Sequence, residues 1–411
     1  MEKWKLNGKV SVPSRSTLTL ETVDGDLQVE EHATVKGVSP QNEVVVHGTV
    51  YCEGHNTFEC NLSAKNLEAE DTVTIRGDLE IQDTVEVEGG SLEIYGNTNA
   101  RNVDVDDTMH VSKNLTVEEI EVGGSLSVDG NVKAENMEIG GTFEAGGEVH
   151  VADIEVGGSL EIKSKAEIKS LEVGGTARVA GGKISEIDVG GTFESSSPLE
   201  FDKIDVGGTV RLSGKSKGKE IEVGGSLKVN GDLDFEEINV GGTVEIAGLA
   251  QGSRLEVGGK VDIDGSLKLS GTLEVGGRVD VSGEITTRDI EVGGTLRARK
   301  VAAVESVEVG GSIATGEGIA ARSIEIGRRG EVHGLMRADE IVVGHDASVE
   351  SVHGREILLK SGARAENVYG EDVTIEDDCH VHGEVQYTRE LRVSQNASLA
   401  KAPVKVDTLP E

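Results

Sequence analysis

The sequence predicts an all-β protein, a single-stranded, right-handed parallel β-helix of triangular section with about 17 residues per coil and about 20–22 coils. Three observations carry this prediction. A short string recurs at a nearly constant interval, apolar residues within each recurrence come in pairs two apart, and only 10 of 411 residues are aromatic. Few large rings leave a wide globular core hard to build, whereas a thin repetitive core needs only aliphatic side chains.

The recurring string is Val-Gly-Gly, once Ile-Gly-Gly. Its first glycines are Gly123, Gly140, Gly157, Gly174, Gly190, Gly207, Gly224, Gly241, Gly258, Gly276, Gly293 and Gly310, spaced by 17 apart from one 16 and one 18. Degenerate copies keep the beat downstream at IEIGRRG (324–330), IVVGHDA (341–347), ILLKSGA (357–363), VTIEDDC (373–379) and LRVSQNA (391–397). Upstream copies are VDVDDTM (103–109), VEVEGGSL (85–92) and LEAEDTV (67–73). Twenty units therefore run from Leu67 to the C-terminus, and two less regular ones are expected to begin near Leu27 and Val44.

The unit Ile221–Glu237 shows what the period means. Its apolar residues occupy slots 1, 3, 7, 9, 13 and 15: Ile221 and Val223, Leu227 and Val229, Leu233 and Phe235. A spacing of two places both members of a pair on one face of a strand, so each unit holds three short strands. The glycines fall between strands, where the φ > 0 conformations of tight corners would favour them. One coil cannot bury its inward pairs alone, so coils must stack. A rise of about 4.8 Å per coil makes the expected stack on the order of 100 Å long.

Competing periods fit less well. A helical repeat needs apolar residues three and four apart and tolerates Gly-Gly poorly, collagen needs Gly at every third residue, and nonapeptide β-rolls need an Asp after the glycines. A left-handed hexapeptide helix is the nearest rival, but it favours a strict 18-residue turn. Right-handedness follows the usual hand of crossovers between parallel strands. The chain then divides into a capping segment 1–26, irregular first coils 27–66, a regular solenoid 67–340, variant coils 341–400 and a tail 401–411.

Charge narrows the function. With 75 Asp+Glu against 40 Lys+Arg the net charge is −35, which disfavours nucleic acid and anionic lipid as partners. No run of 18 apolar residues and no signal-like start is present, so direct membrane insertion is not expected. Three cysteines, Cys52, Cys60 and Cys379, form no disulfide framework, and a cytoplasmic location is expected. There is no P-loop or HExxH, and units of 16–18 residues leave no room for the loops that wall a polysaccharide-cleaving groove, so no catalytic residues and no enzymatic activity are expected.

The units Ile341–Val349 (IVVGHDASV) and Leu391–Leu399 (LRVSQNASL), with Leu27–Gly37 (LQVEEHATVKG), resemble coils of the bactofilins, polymer-forming cytoskeletal proteins. The resemblance implies a non-enzymatic protein that assembles end to end without nucleotide. The chain departs from the family in its many coils and in lacking a short hydrophobic N-terminal peptide.

Self-association also follows from the open edge at each end of a β-helix. Candidate interface residues are Leu27, Val29, Val373, Ile375, Leu391, Val393 and Leu399. Trp4, Leu6, Val10 and Val12 offer a cap at one end, and Pro403 and Pro410 can block pairing at the other. A second feature is slot 2, expected to point outward. It holds Glu68, Glu86, Asp104, Glu121, Glu138, Glu155, Glu172, Asp188, Asp205, Glu222, Glu256, Glu274, Glu291, Glu308 and Glu325, with Asn239 the one exception. This acidic ridge either keeps the solenoid soluble or binds divalent cations or a basic partner. Ser125, Thr142, Ser159 and Thr176 in slot 6 suggest a hydroxyl ladder. His47, Cys52, His55 and Cys60 have ligand types suited to zinc at a spacing that matches no common finger. His333, Glu350, Glu366 and His382 share slot 10 and are expected to stack. No organic cofactor is expected.

Overall fold

Alternating apolar pairs give each segment one inward face, and the chain closes those faces into a parallel β-solenoid of about 23 turns and about 17 residues per turn. The structure is a computed structural model describing residues 5–6 and 9–410. It has no α-helix among the described residues. Residues 1–207 and 208–411 form two compact units, each built in the same way.

A coil of the first unit illustrates the construction. Asp153–Val156 pairs in parallel with Ser170–Val173 in a first sheet, Ser159–Ile162 with Thr176–Val179 in a second, and Ala166–Ile168 with Gly182–Ile184 in a third. Ile154, Val156, Leu160, Ile162, Ala166 and Ile168 all point inward and are at most 3% exposed. In the second unit Ile221, Val223, Leu227, Val229, Leu233 and Phe235 are buried at the slots the sequence assigns. Burying an aliphatic side chain stabilises by about 1.5–3 kcal/mol, so the inward columns carry the fold.

Twenty turns begin at Leu67 and beyond, as the periodicity predicts, and three more precede them rather than two. Val10–Val12 pairs with Leu27–Val29, which pairs with Val50–Cys52. Val44 does not begin a coil, because Glu43–Val46 belongs to the third sheet. The register slips because the chain makes an excursion at 38–42, where the Asn42 amide donates to the Val38 carbonyl at 3.1 Å. The segment expected as a cap supplies strands at Thr17–Leu20 and Thr22–Val23, paired with Thr34–Gly37 and Val45–Val46. Trp4 lies outside the described residues, as does the side chain of Leu6.

The corner glycines occupy the expected turns for a different physical reason. None of the twelve first glycines has a positive φ. A Cβ on Gly140 would lie 2.2 Å from the Gly123 carbonyl oxygen, and one on Gly157 2.4 Å from that of Gly140. Close stacking of backbone on backbone excludes any side chain there. Gly157→Ala is expected to cost about 1–3 kcal/mol through this overpacking, read as a lowered urea midpoint; an unchanged midpoint would show that the coils can separate freely.

Candidate functional site

Because slot 2 alternates with the inward positions, its residues stand on the outer face of the first sheet. In the first unit the register runs Glu68, Glu86, Asp104, Glu121, Glu138, Glu155, Glu172, Asp188 and Asp205, each opposite the next. In the second it runs Glu222, Asn239, Glu256, Glu274, Glu291, Glu308 and Glu325. Like charges at this spacing repel by something under about 1 kcal/mol per pair in water. Among the described residues, Arg254 meets Glu256 at 2.8 Å and Glu274 at 3.6 Å, and Lys360 meets Glu325 at 3.6 Å. The outer faces of the other sheets mix their signs, as in Arg178–Glu194 at 3.7 Å, Lys228–Glu245 at 3.2 Å and His150–Glu167 at 3.2 Å.

The expected interface residues separate into two groups. Leu27 and Val29 are fully buried between neighbouring coils, and Val373 and Ile375 are 2% and 1% exposed with strands on both sides. These four are interior, because a coil stands outside each pair. Leu391, Val393 and Leu399 lie in the last coil, stacked on Val373, Ile375 and Val381. There Leu391 and Leu399 are half-buried and Val393 is 38% exposed, whereas Val12 and Leu20 of the first coil are 0% and 2% exposed. No strand among the described residues pairs with the outer edges of 390–393 or 398–399. The tail turns aside to the third sheet, where Val404–Lys405 pairs with Gln386–Tyr387, and Lys401 meets Glu384 at 3.1 Å. The Lys401 ammonium and then the Gln386 amide hold the Glu384 carboxyl below its ordinary range.

The four proposed zinc ligands are not brought together. Cys52 is buried in the first sheet and Cys60 at a corner, while His47 faces Asp24 at 3.8 Å and His55 meets Asp71 at 2.9 Å on the outside. Cys52 is an inward strand residue and Cys60 is buried between two strands, whereas both imidazoles stand exposed at bends between strands. Burial, helped by Glu43 and Glu59, pushes the Cys60 thiol up to about 12, and burial raises Cys52 and Cys379 as well. A thiol needs its thiolate to react, so a disulfide reagent at pH 8 is expected to find no accessible thiol in the folded protein and three after denaturation. Rapid labelling without denaturant would refute the closed packing.

The slot-10 residues do stack, since Val332, Val349, Ala365 and Val381 just before them are in register. His333 Nδ1 lies 3.3 Å from Glu350 Oε1, and the Gly334 amide donates to Glu350 Oε2 at 2.9 Å. In slot 6 the Thr142 hydroxyl donates to Ser125 Oγ at 2.8 Å.

Sequence reasoning missed an amide ladder at one corner of the first unit. The Asp78 amide donates to Asn61 Oδ1 at 2.9 Å, that of Asn97 to Asp78 Oδ1 at 2.7 Å, that of Asn131 to Asn114 Oδ1 at 2.9 Å and that of Glu148 to Asn131 Oδ1 at 2.8 Å. The Asn114 side chain also donates to Asn97 Oδ1 at 3.1 Å. The recurrence of Asn or Asp at slot 12, as at Asp78, Asn114 and Asn131, with Asn97 one position later in its longer unit, was its available signal.

The chain matches no family model, no curated protein and no solved structure. Its class is defined by the fold, a parallel β-solenoid. No helix among the described residues is long and apolar enough to cross a membrane.

Proposed function

We propose that this protein is a non-enzymatic structural scaffold that assembles with itself, without nucleotide, through the end of its solenoid. The observation that carries the reading is the open C-terminal coil. Its inward Leu391, Val393 and Leu399 keep apolar surface in water, and its edge strands leave backbone donors and acceptors available to a second copy. The resemblance of the units at 341–349 and 391–399 to bactofilin coils supports the same assignment, and the proposed location is the cytoplasm, where unpaired thiols such as these persist. The net charge of −35 supports a protein partner over nucleic acid.

A second reading is a monomeric or dimeric protein that uses the acidic ridge to hold divalent cations or a basic partner. Its support is that few lysines or arginines among the described residues neutralise the column. Electron microscopy of the purified protein in low salt, high salt and millimolar magnesium separates the two. Filaments in every buffer support end-to-end stacking, and bundles formed only with magnesium assign the ridge a role. Single particles in all three buffers would remove the scaffold reading and leave the second.

A further inference from the structure

The outward column of the first sheet changes chemistry near the C-terminus. In register after Glu325 come Val342, Leu358, Thr374 and Arg392. Val342 and Leu358 point outward yet are half-buried, because they line a shallow groove with Glu340, Glu356 and Asp372. These carboxylates and Glu390 form a parallel column two residues away on the same strands and therefore on the same face. Asp372 is met by Arg389 at 3.4 Å and Glu390 by Arg392 at 2.8 Å, whereas no lysine or arginine among the described residues pairs with Glu340 or Glu356. Nothing in the coil demands aliphatic residues here, since the same column carries acids through the preceding turns.

We propose that this face is a docking site for a basic amphipathic α-helix supplied by another protein. Rungs of a parallel sheet repeat at about 4.8 Å, and a helix lying along that direction presents a side chain about every 5.4 Å. Across the rungs of Val342, Leu358 and Thr374 the two repeats drift apart by only about 1 Å. Apolar residues at i, i+4 and i+7 then rest on that column, while Lys or Arg beside them meet Glu340, Glu356 and Asp372. The acids attract such a helix and the aliphatic pair fixes its position. No helix of this chain among the described residues can fill the role. This inference is independent of end-to-end assembly, because it uses the outer face of the sheet and not the coil edge.

The test uses the full chain and a labelled 14-residue helical peptide with Leu at i, i+4 and i+7 and Lys at flanking positions, followed by fluorescence anisotropy at physiological salt. Val342→Glu/Leu358→Glu merely extends the acidic column, so non-specific attraction to the ridge predicts equal or tighter binding. The docking site predicts at least roughly tenfold weaker binding, about 1.4 kcal/mol, with a similar loss for Glu340→Gln/Glu356→Gln. Hydrogen exchange on the wild-type chain supplies a readout that needs no variant, with peptide protection expected over 340–374 and not over 68–172. No binding by the wild type, binding retained in Val342→Glu/Leu358→Glu, or protection spread along the ridge would overturn the proposal. So would a wild-type dimer that this double substitution converts to monomer, because a second copy would then occupy the face.

Discussion

Replacing Val393 by Arg is expected to abolish self-assembly while leaving the solenoid folded. Val393 is an inward residue of the last coil, stacked on Ile375 and 38% exposed, and no strand among the described residues lies over it. At an open end the longer side chain can turn its guanidinium to water, so the isolated chain loses little. Once a second copy covers the coil, that charge is desolvated without a partner, at a cost of several kcal/mol. An association weakened by about 2.8 kcal/mol is weakened roughly hundredfold. Sedimentation velocity should therefore show one slow species for the variant and larger ones for the wild type, with identical circular dichroism. Assembly of the variant at the wild-type concentration would mean that the C-terminal coil is not the contact, whatever the wild type forms.

The largest loss of stability is expected from Phe143→Ala. Phe143 is 1% exposed in the second sheet, with Leu126 on the rung before it and Leu160 on the rung after. Truncation removes most of an aromatic side chain from a core only one coil wide, and the backbone ladders on both sides resist collapse into the space. Phe→Ala changes in such sites cost about 3–5 kcal/mol. In a solenoid the deficit is felt by nearest neighbours. Hydrogen exchange should accelerate first in 125–162 and leave 295–375 unchanged. A uniform acceleration along the chain would show that the solenoid opens as one cooperative body.

These expectations rest unequally on sequence and structure. The inward residues of the regular coils were legible because one physical rule, alternation of side chains across a strand, acts identically in every repeat. Ile221, Val223, Leu227 and Val229 could be placed from spacing alone, and the outward position of Glu121 or Glu155 followed from the same rule. Where the rule meets an irregularity it loses the register. The excursion at 38–42 moves the next first-sheet strand from Val44, where the period places it, to Val50, and the strand at Val10–Val12, which the period does not mark, makes Leu27 interior. Val342 and Leu358 were hidden differently. In Ile341-Val342-Val343 and Ile357-Leu358-Leu359 three adjacent apolar residues look uniformly buried, and only pairing shows that the middle one faces outward.

Local alternation, repeated many times, is enough to specify the β-solenoid, its period, its inward columns and its acidic ridge. Which residues are terminal, why glycine is required at the corners and what the cysteines can do are set by the packing of coil on coil. Those properties depend on what lies in the next coil, about 17 positions away along the chain but only about 4.8 Å away in space. A Cβ at Gly157 is excluded by the carbonyl of Gly140, Leu27 is interior because Val10–Val12 forms an earlier rung, and Cys52 is buried in the core while His55 stands exposed at a bend, none of which can be read from a single repeat.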